Sequence, residues 1–148
     1  MAKNILVPID GSENSFRAID LAADLSQDKD DSLTLLHVVR RVRVPEELHR
    51  FLELEHIDAP PEWQYEQLVA SEILRGGEQR ARDRGIASVE TVADHGDAAK
   101  TIAQVAQEKK ADMIVMGSRG LGAIKGLTFG SVSQKVSHLA KQTVVTVS

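Results

Sequence analysis

Met113-Ile114-Val115-Met116-Gly117-Ser118-Arg119-Gly120-Leu121-Gly122-Ala123-Ile124-Lys125-Gly126-Leu127-Thr128-Phe129-Gly130-Ser131-Val132 is the stretch that decides the fold. Its first four residues form an apolar run that reads as a buried strand. Five of the chain's ten glycines follow within it, so the turn after the strand is built from glycine. Val132, Val136, Leu139 and Ala140 then recur at helical spacing. A glycine-rich turn between a strand and a helix sets unhindered backbone N–H groups beside a helix N-terminus. That arrangement accepts anions, phosphate above all.

The same alternation recurs along the chain. Asn4-Ile5-Leu6-Val7-Pro8-Ile9-Asp10 reads as a first strand closed by an acid and Gly11. Ser12 to Ser15 offer N-caps for a helix with Ala18, Leu21, Ala22 and Leu25 as its stripe. Leu33 to Val39 is a second strand, apolar on both faces. Residues 40–61 are less regular: Arg40-Arg41-Val42-Arg43 reads as a solvated basic edge. Leu48, Phe51, Leu52 and Glu55 then fall at helical spacing, and that cluster closes over a pocket, packs on the core or meets a partner. Pro60-Pro61 opens a further helix, with Tyr65, Leu68, Val69 and Ile73 as the expected buried face. Gly76-Gly77 should weaken that helix, and Gly85 is its expected C-cap. Val89 to Ala93 is a third strand. Asp97 caps a helix striped by Ala98, Ile102, Val105 and Ala106, and Lys109 and Lys110 suit its C-terminal dipole. Thr143 to Val147 is a fifth strand.

Apolar strands alternating with amphipathic helices predict an α/β fold: one doubly wound domain over 1–148, a parallel sheet covered on both faces. Ligands of such sheets bind beyond the strands' carboxyl ends, at a switch point. Asp10-Gly11 and Gly117 both fall at such ends, as two lips of one crevice.

Composition narrows the function classes. The chain has 148 residues, no cysteine and a formal net charge of −4. Disulfides, thiolate catalysis and zinc–thiolate sites are excluded. The charge argues against broad binding to nucleic acid or anionic membrane. No apolar run reaches membrane-spanning length, and no signal-like stretch opens the chain, so a cytoplasmic protein without membrane insertion is expected. The five histidines lack metal-binding spacing, and Ser118, Ser131 and Ser133 lack a nucleophile elbow.

The glycine stretch fails two familiar motifs. A Walker A loop needs lysine after its second glycine, and Ala123 follows Gly122. The dinucleotide fingerprint fails too, because Lys125 stands where its third glycine should be and Gly126 comes one place late. What fits is Gly117-x2-Gly120-x9-Gly130-Ser131. Together with Pro8-Ile9-Asp10-Gly11-Ser12 and Leu35-Leu36-His37-Val38, it resembles the ATP-binding branch of the universal stress protein (UspA-like) family, from Ile5 to Val147.

The resemblance implies a Rossmann-like sheet of five strands in the order 3-2-1-4-5 with ATP at its carboxyl edge. By matching position, Pro8 would line the pocket and Asp10 would lie near the ribose or the phosphate–metal region. Val38 would meet adenine through its backbone, and Met116 and Gly117 would sit under the nucleoside. Gly120, Gly130, Ser131 and Val132 would hold phosphates by backbone N–H; Arg119 lies in the motif at a variable position. Asp10 is also the carboxylate that would hold a Mg²⁺ bridging the phosphates. The family dimerises through its last strand, here Thr143 to Val147, which begins with threonine where proline is common. Family members occur beside transporters and channels. The expected function is therefore an ATP-binding regulator of stress response. Its nucleotide-dependent dimer or tetramer would control a client protein such as a membrane transporter. The alternative is a slow Mg-dependent ATPase or phosphotransfer enzyme using Asp10 and Arg119. A bare structural module is the third reading.

Overall fold

Ile5, Leu6 and Val7 in the first strand, β1 (Asn4–Pro8), have no solvent exposure. A strand buried on both faces belongs in the middle of a parallel sheet. The computed structural model, which describes residues 2–41, 44–58, 60–119 and 131–148, puts it there. β2 (Ser32–Val38), β3 (Ser88–Asp94), β4 (Met113–Gly117) and β5 (Thr143–Val147) complete a parallel sheet in the order β3-β2-β1-β4-β5. The expected strand order and Rossmann-like class hold. Ile5 stands opposite Leu33 of β2 and Met113 of β4.

Alternation along β1 builds two cores. Ile5, Val7 and Ile9 face α1 (Glu13–Leu25) and α3 (Glu62–Asp83), with Ile19, Leu35 and Leu74 around them. Leu6 faces the other way, against α4 (Ala98–Glu108) and α5 (Ser131–Leu139), with Leu36, Ile102, Met116 and Val136. The caps fall where the sequence put them. Ser12 Oγ accepts the Ser15 N–H at 3.1 Å, and Asp97 accepts the Lys100 N–H at 3.1 Å. At the end of α3, Gly85 has φ +91°. Its N–H reaches Arg82 O at 2.9 Å, and the Ile86 N–H reaches Ala81 O at 3.1 Å. That is the paired bonding of a Schellman motif, closed by a buried Ile86.

Several expectations need correction. α3 buries Ala70, Leu74, Gly77 and Ala81, while Leu68 and Val69 face solvent and Tyr65 and Ile73 are half-buried. The helix carries two apolar stripes, and the one with small residues packs because it lets the helix approach the sheet closely. A Cβ at Gly77 would lie 2.7 Å from Ile9 Cδ1, which explains a glycine inside an unbroken 22-residue helix. The helical spacing of Leu48, Phe51, Leu52 and Glu55 holds as a separate helix, α2 (Glu46–Leu54), ahead of α3, but it does not pack on the core: none of its residues is buried. β3 is a sheet edge and is largely exposed rather than apolar throughout. In α5, Val136 is buried but Leu139 is exposed.

One ion-pair group ties α3 to α1. Arg80 donates through Nε and Nη2 to the two oxygens of Asp20, at 2.9 and 2.6 Å, and its guanidinium lies over the Phe16 ring. The hydrogen bonds from Arg80, with the charges of Arg80 and Arg84, hold the Asp20 carboxyl below its ordinary value. At the foot of the sheet the Asp31 carboxylate accepts the backbone N–H groups of Lys3 and Asp28, which lowers its pKa against the cost of burial.

Candidate functional site

The chain passes from β1 out to β2 and β3, then crosses back to β4 and β5. The reversal lies between β1 and β4, whose following helices pack on opposite faces of the sheet. Their carboxyl ends therefore diverge and leave a crevice, as this topology requires.

The β1 lip is a self-braced turn. Gly11 takes φ +90°, which lets the chain turn sharply into α1. Asp10 Oδ1 accepts the Ser12 N–H at 3.0 Å, and the Asp10 N–H reaches Ser15 Oγ at 3.3 Å. Ser15 Oγ in turn donates to Ser12 O at 2.9 Å. Behind this lip the buried His37 places Nδ1 2.8 Å from Ile9 O.

The β4 lip is anchored on both sides. The Ser118 N–H continues the sheet to Val147 O at 2.7 Å. The next N–H, of Arg119, is accepted by Asn14 Oδ1 at 2.8 Å, from the first turn of α1. Asn14 thus fastens one lip to the other. No motif marked it in the sequence, because its partner lies 105 positions away. Ser133 Oγ donates to Ser118 O at 3.3 Å, fixing the first turn of α5 against the strand end. The Ser118 hydroxyl is buried and has no hydrogen-bond partner among the described residues.

The crevice holds about 600 Å³, within the range of small-molecule sites. Pro8, Asp10, Val38, Met116, Gly117, Arg119, Ser131 and Val132 all line it. Gly120 and Gly130 lie outside the described residues. The wall is apolar at Leu36, Val38, Ile102 and Met116. Ser131 to Ser133 are the first turn of α5, whose N–H groups have no partner within the helix. Arg40 and Arg41, read as a solvated edge, remain exposed but line the crevice at the end of β2. With Arg119 they set three guanidinium groups against one carboxylate, Asp10, among the described lining residues. In a chain of net charge −4 this is a local positive field suited to an anion. His95 is exposed and does not appear among those lining residues. Among the described residues no group of three or more acids and histidines is placed to hold a metal ion, so a Mg²⁺ here would depend on a ligand's own oxygens beside Asp10. No helix of the described residues is long and apolar enough to cross a membrane.

Comparison with known proteins gives the arrangement a family. The sequence pattern of the universal stress protein family matches residues 1–148. Universal stress protein YxiE of Bacillus subtilis (strain 168) is 35% identical over 146 residues, covering 95% of each chain. Among solved structures, universal stress protein UspA from Lactobacillus plantarum superposes with a TM-score of 0.76 at 25% identity, covering 99% of this chain and 97% of that one. A universal stress protein in complex with cAMP superposes with a TM-score of 0.72 at 26% identity, with the same coverage. The chain belongs to the universal stress protein family.

Proposed function

We propose that this protein is an ATP-binding regulatory stress protein whose nucleotide-dependent oligomerisation controls a client, such as a membrane transporter. One observation carries the nucleotide reading. Eight residues singled out from four separate segments of sequence converge on one apolar crevice with a positive rim and the first turn of α5. Adenine fits the slot between Val38 and Met116, and phosphates fit the end where Ser131, Val132 and Arg119 lie. The unpartnered Ser118 hydroxyl supports an oxygen-rich ligand, since such a buried group costs about 1–3 kcal/mol until it is paired. The cAMP complex of a relative supports an adenine nucleotide. Asp10 is the carboxylate beside which a phosphate-bound Mg²⁺ would sit.

A binding role is favoured over turnover because the glycine stretch has no Walker lysine and, among the described residues that line the crevice, Asp10 is the one carboxylate and no histidine stands beside it. The second reading, a slow Mg-dependent ATPase, rests on Asp10 and Arg119 lining the same crevice. The dimer reading rests on β5, an edge strand whose outer backbone groups form a template for a second copy across Thr143 to Val147.

Nucleotide titration combined with sizing tests these points. ATP with Mg²⁺ should bind, and should change the mass of the assembly. Binding without a change in mass removes the switch. Absence of binding by ATP, AMP and cAMP alike removes the nucleotide site. Phosphate release faster than roughly 1 s⁻¹, lost in Asp10→Ala, would instead establish the enzyme.

A further inference from the structure

Eight large apolar side chains are exposed among the described residues, and seven of them fall between Leu48 and Val69. Leu48, Phe51 and Leu54 lie on α2, Ile57 in the connection that follows, and Trp63 and Leu68 on the first turns of α3. Leu54 is 77% exposed and Trp63 54%. An apolar concentration of this kind marks an interaction site. α2 points the same way. It has nine residues and buries none. A helix shorter than about 12 residues is marginal in water without a packed face.

Charge selects the partner. Residues 46–69 carry seven Asp and Glu against a single cation, Arg50, which lies 3.8 Å from Glu46. The segment's surplus of six negative charges exceeds the −4 of the whole chain, so the remainder is net positive. Two copies apposed on this face would bring like charges together within about one Debye length, roughly 8 Å at physiological salt. Anionic lipid would be repelled in the same way.

We propose that α2, Ile57 and the first turns of α3 form a docking surface for a basic amphipathic helix of a partner protein. Leucine-type residues of that helix would cover Phe51, Leu54 and Trp63, and its lysines or arginines would meet the surrounding carboxylates. The surface lies outside the crevice and does not depend on what the crevice binds.

Trp63 is the chain's one tryptophan, so its emission reports this surface alone. The probe is a synthetic Leu/Lys peptide of about 18 residues with leucines at i, i+3, i+4 and i+7. Controls are a Leu/Glu peptide of the same pattern, a Lys/Ser peptide, and phosphatidylglycerol vesicles. The full-length protein should show a saturable blue shift with Leu/Lys only, weakened about tenfold by roughly 0.5 M salt. Phe51→Ser with Leu54→Ser should weaken binding about tenfold. Glu46→Lys with Glu47→Lys should also weaken it. These positions are exposed, so an unchanged melting temperature will show that each variant is folded. An equal shift with Leu/Glu overturns the proposal, as does indifference to either variant pair. A shift induced by the vesicles overturns it in favour of a lipid surface. A shift with rising protein concentration alone, accompanied by a rise in mass, overturns it in favour of a contact between copies.

Discussion

Gly117 and Asn14 are coupled across the crevice, and the coupling has a calculable size. Gly117 does not have a positive φ, so alanine there meets no backbone strain. The obstacle is space: an added Cβ would lie 2.5 Å from Asn14 Oδ1, 3.0 Å from its Cγ and 3.1 Å from Arg119 O. Ordinary contacts fall near 3.5–4.0 Å. Asn14 must therefore swing away in Gly117→Ala, releasing the Arg119 N–H it holds at 2.8 Å. The lost bond is worth about 1 kcal/mol, and displacement of the strand end brings the total to about 1–2 kcal/mol. Asn14→Ala alone loses the bond and should cost about 1 kcal/mol. In the Asn14→Ala background the two closest atoms are gone, so adding Gly117→Ala should cost little more. The cycle should show a coupling of about 1 kcal/mol. Urea denaturation measures it whatever the crevice binds; because Gly117 also lines the crevice, calorimetric titration with ATP should separately show weaker binding in Gly117→Ala. Additivity within about 0.3 kcal/mol would refute the argument. Gly117 would then be required by something other than Asn14.

Four further variants have calculable outcomes. Gly76→Ala should stabilise by about 1 kcal/mol, because its Cβ would find only Phe16 Cζ at 3.9 Å. Gly77→Ala should destabilise by about 1 kcal/mol despite the same helical gain, since it presses on Ile9, Leu35 and Ile19 together. Ile9 also lines the crevice, so that variant should weaken ligand binding as well. Asp20→Asn should cost about 1–2 kcal/mol at neutral pH, a charged hydrogen-bond value reduced for partial exposure. The folded Asp20 carboxyl titrates below its ordinary 3.8, so its contribution is complete above that pH and is lost as pH falls through the lowered value. Wild type and variant should accordingly converge in acid-denaturation curves below about pH 3.8. Ser118→Ala should raise the melting temperature of the ligand-free protein by removing an unpaired hydroxyl, and should lower the extra stabilisation given by ATP. An unchanged ATP shift would take Ser118 out of ligand binding.

Features that depend on neighbours close along the chain are legible in the local pattern of residues. The alternation of apolar runs and amphipathic stretches specified the class. Ser12, Asp97 and Gly85 marked helix ends by their own hydrogen bonding and backbone freedom. Strand ends carrying Asp10 and Gly117 located the crevice, because a doubly wound sheet has one place for it. The remaining features depend on contacts between distant segments. Two stripes on α3 were both apolar, and only packing at Gly77, against Ile9 and Leu35, chose the one with small residues. Asn14 looks like any helix-start residue until the fold brings Arg119 to it. Arg40 and Arg41 look like a solvated edge until β2 ends beside the crevice. α2 falls at helical spacing in sequence, but only the fold decides that none of its residues is buried. Local pattern says which residues can be buried or bonded; the partners that make them so are supplied by distant parts of the chain.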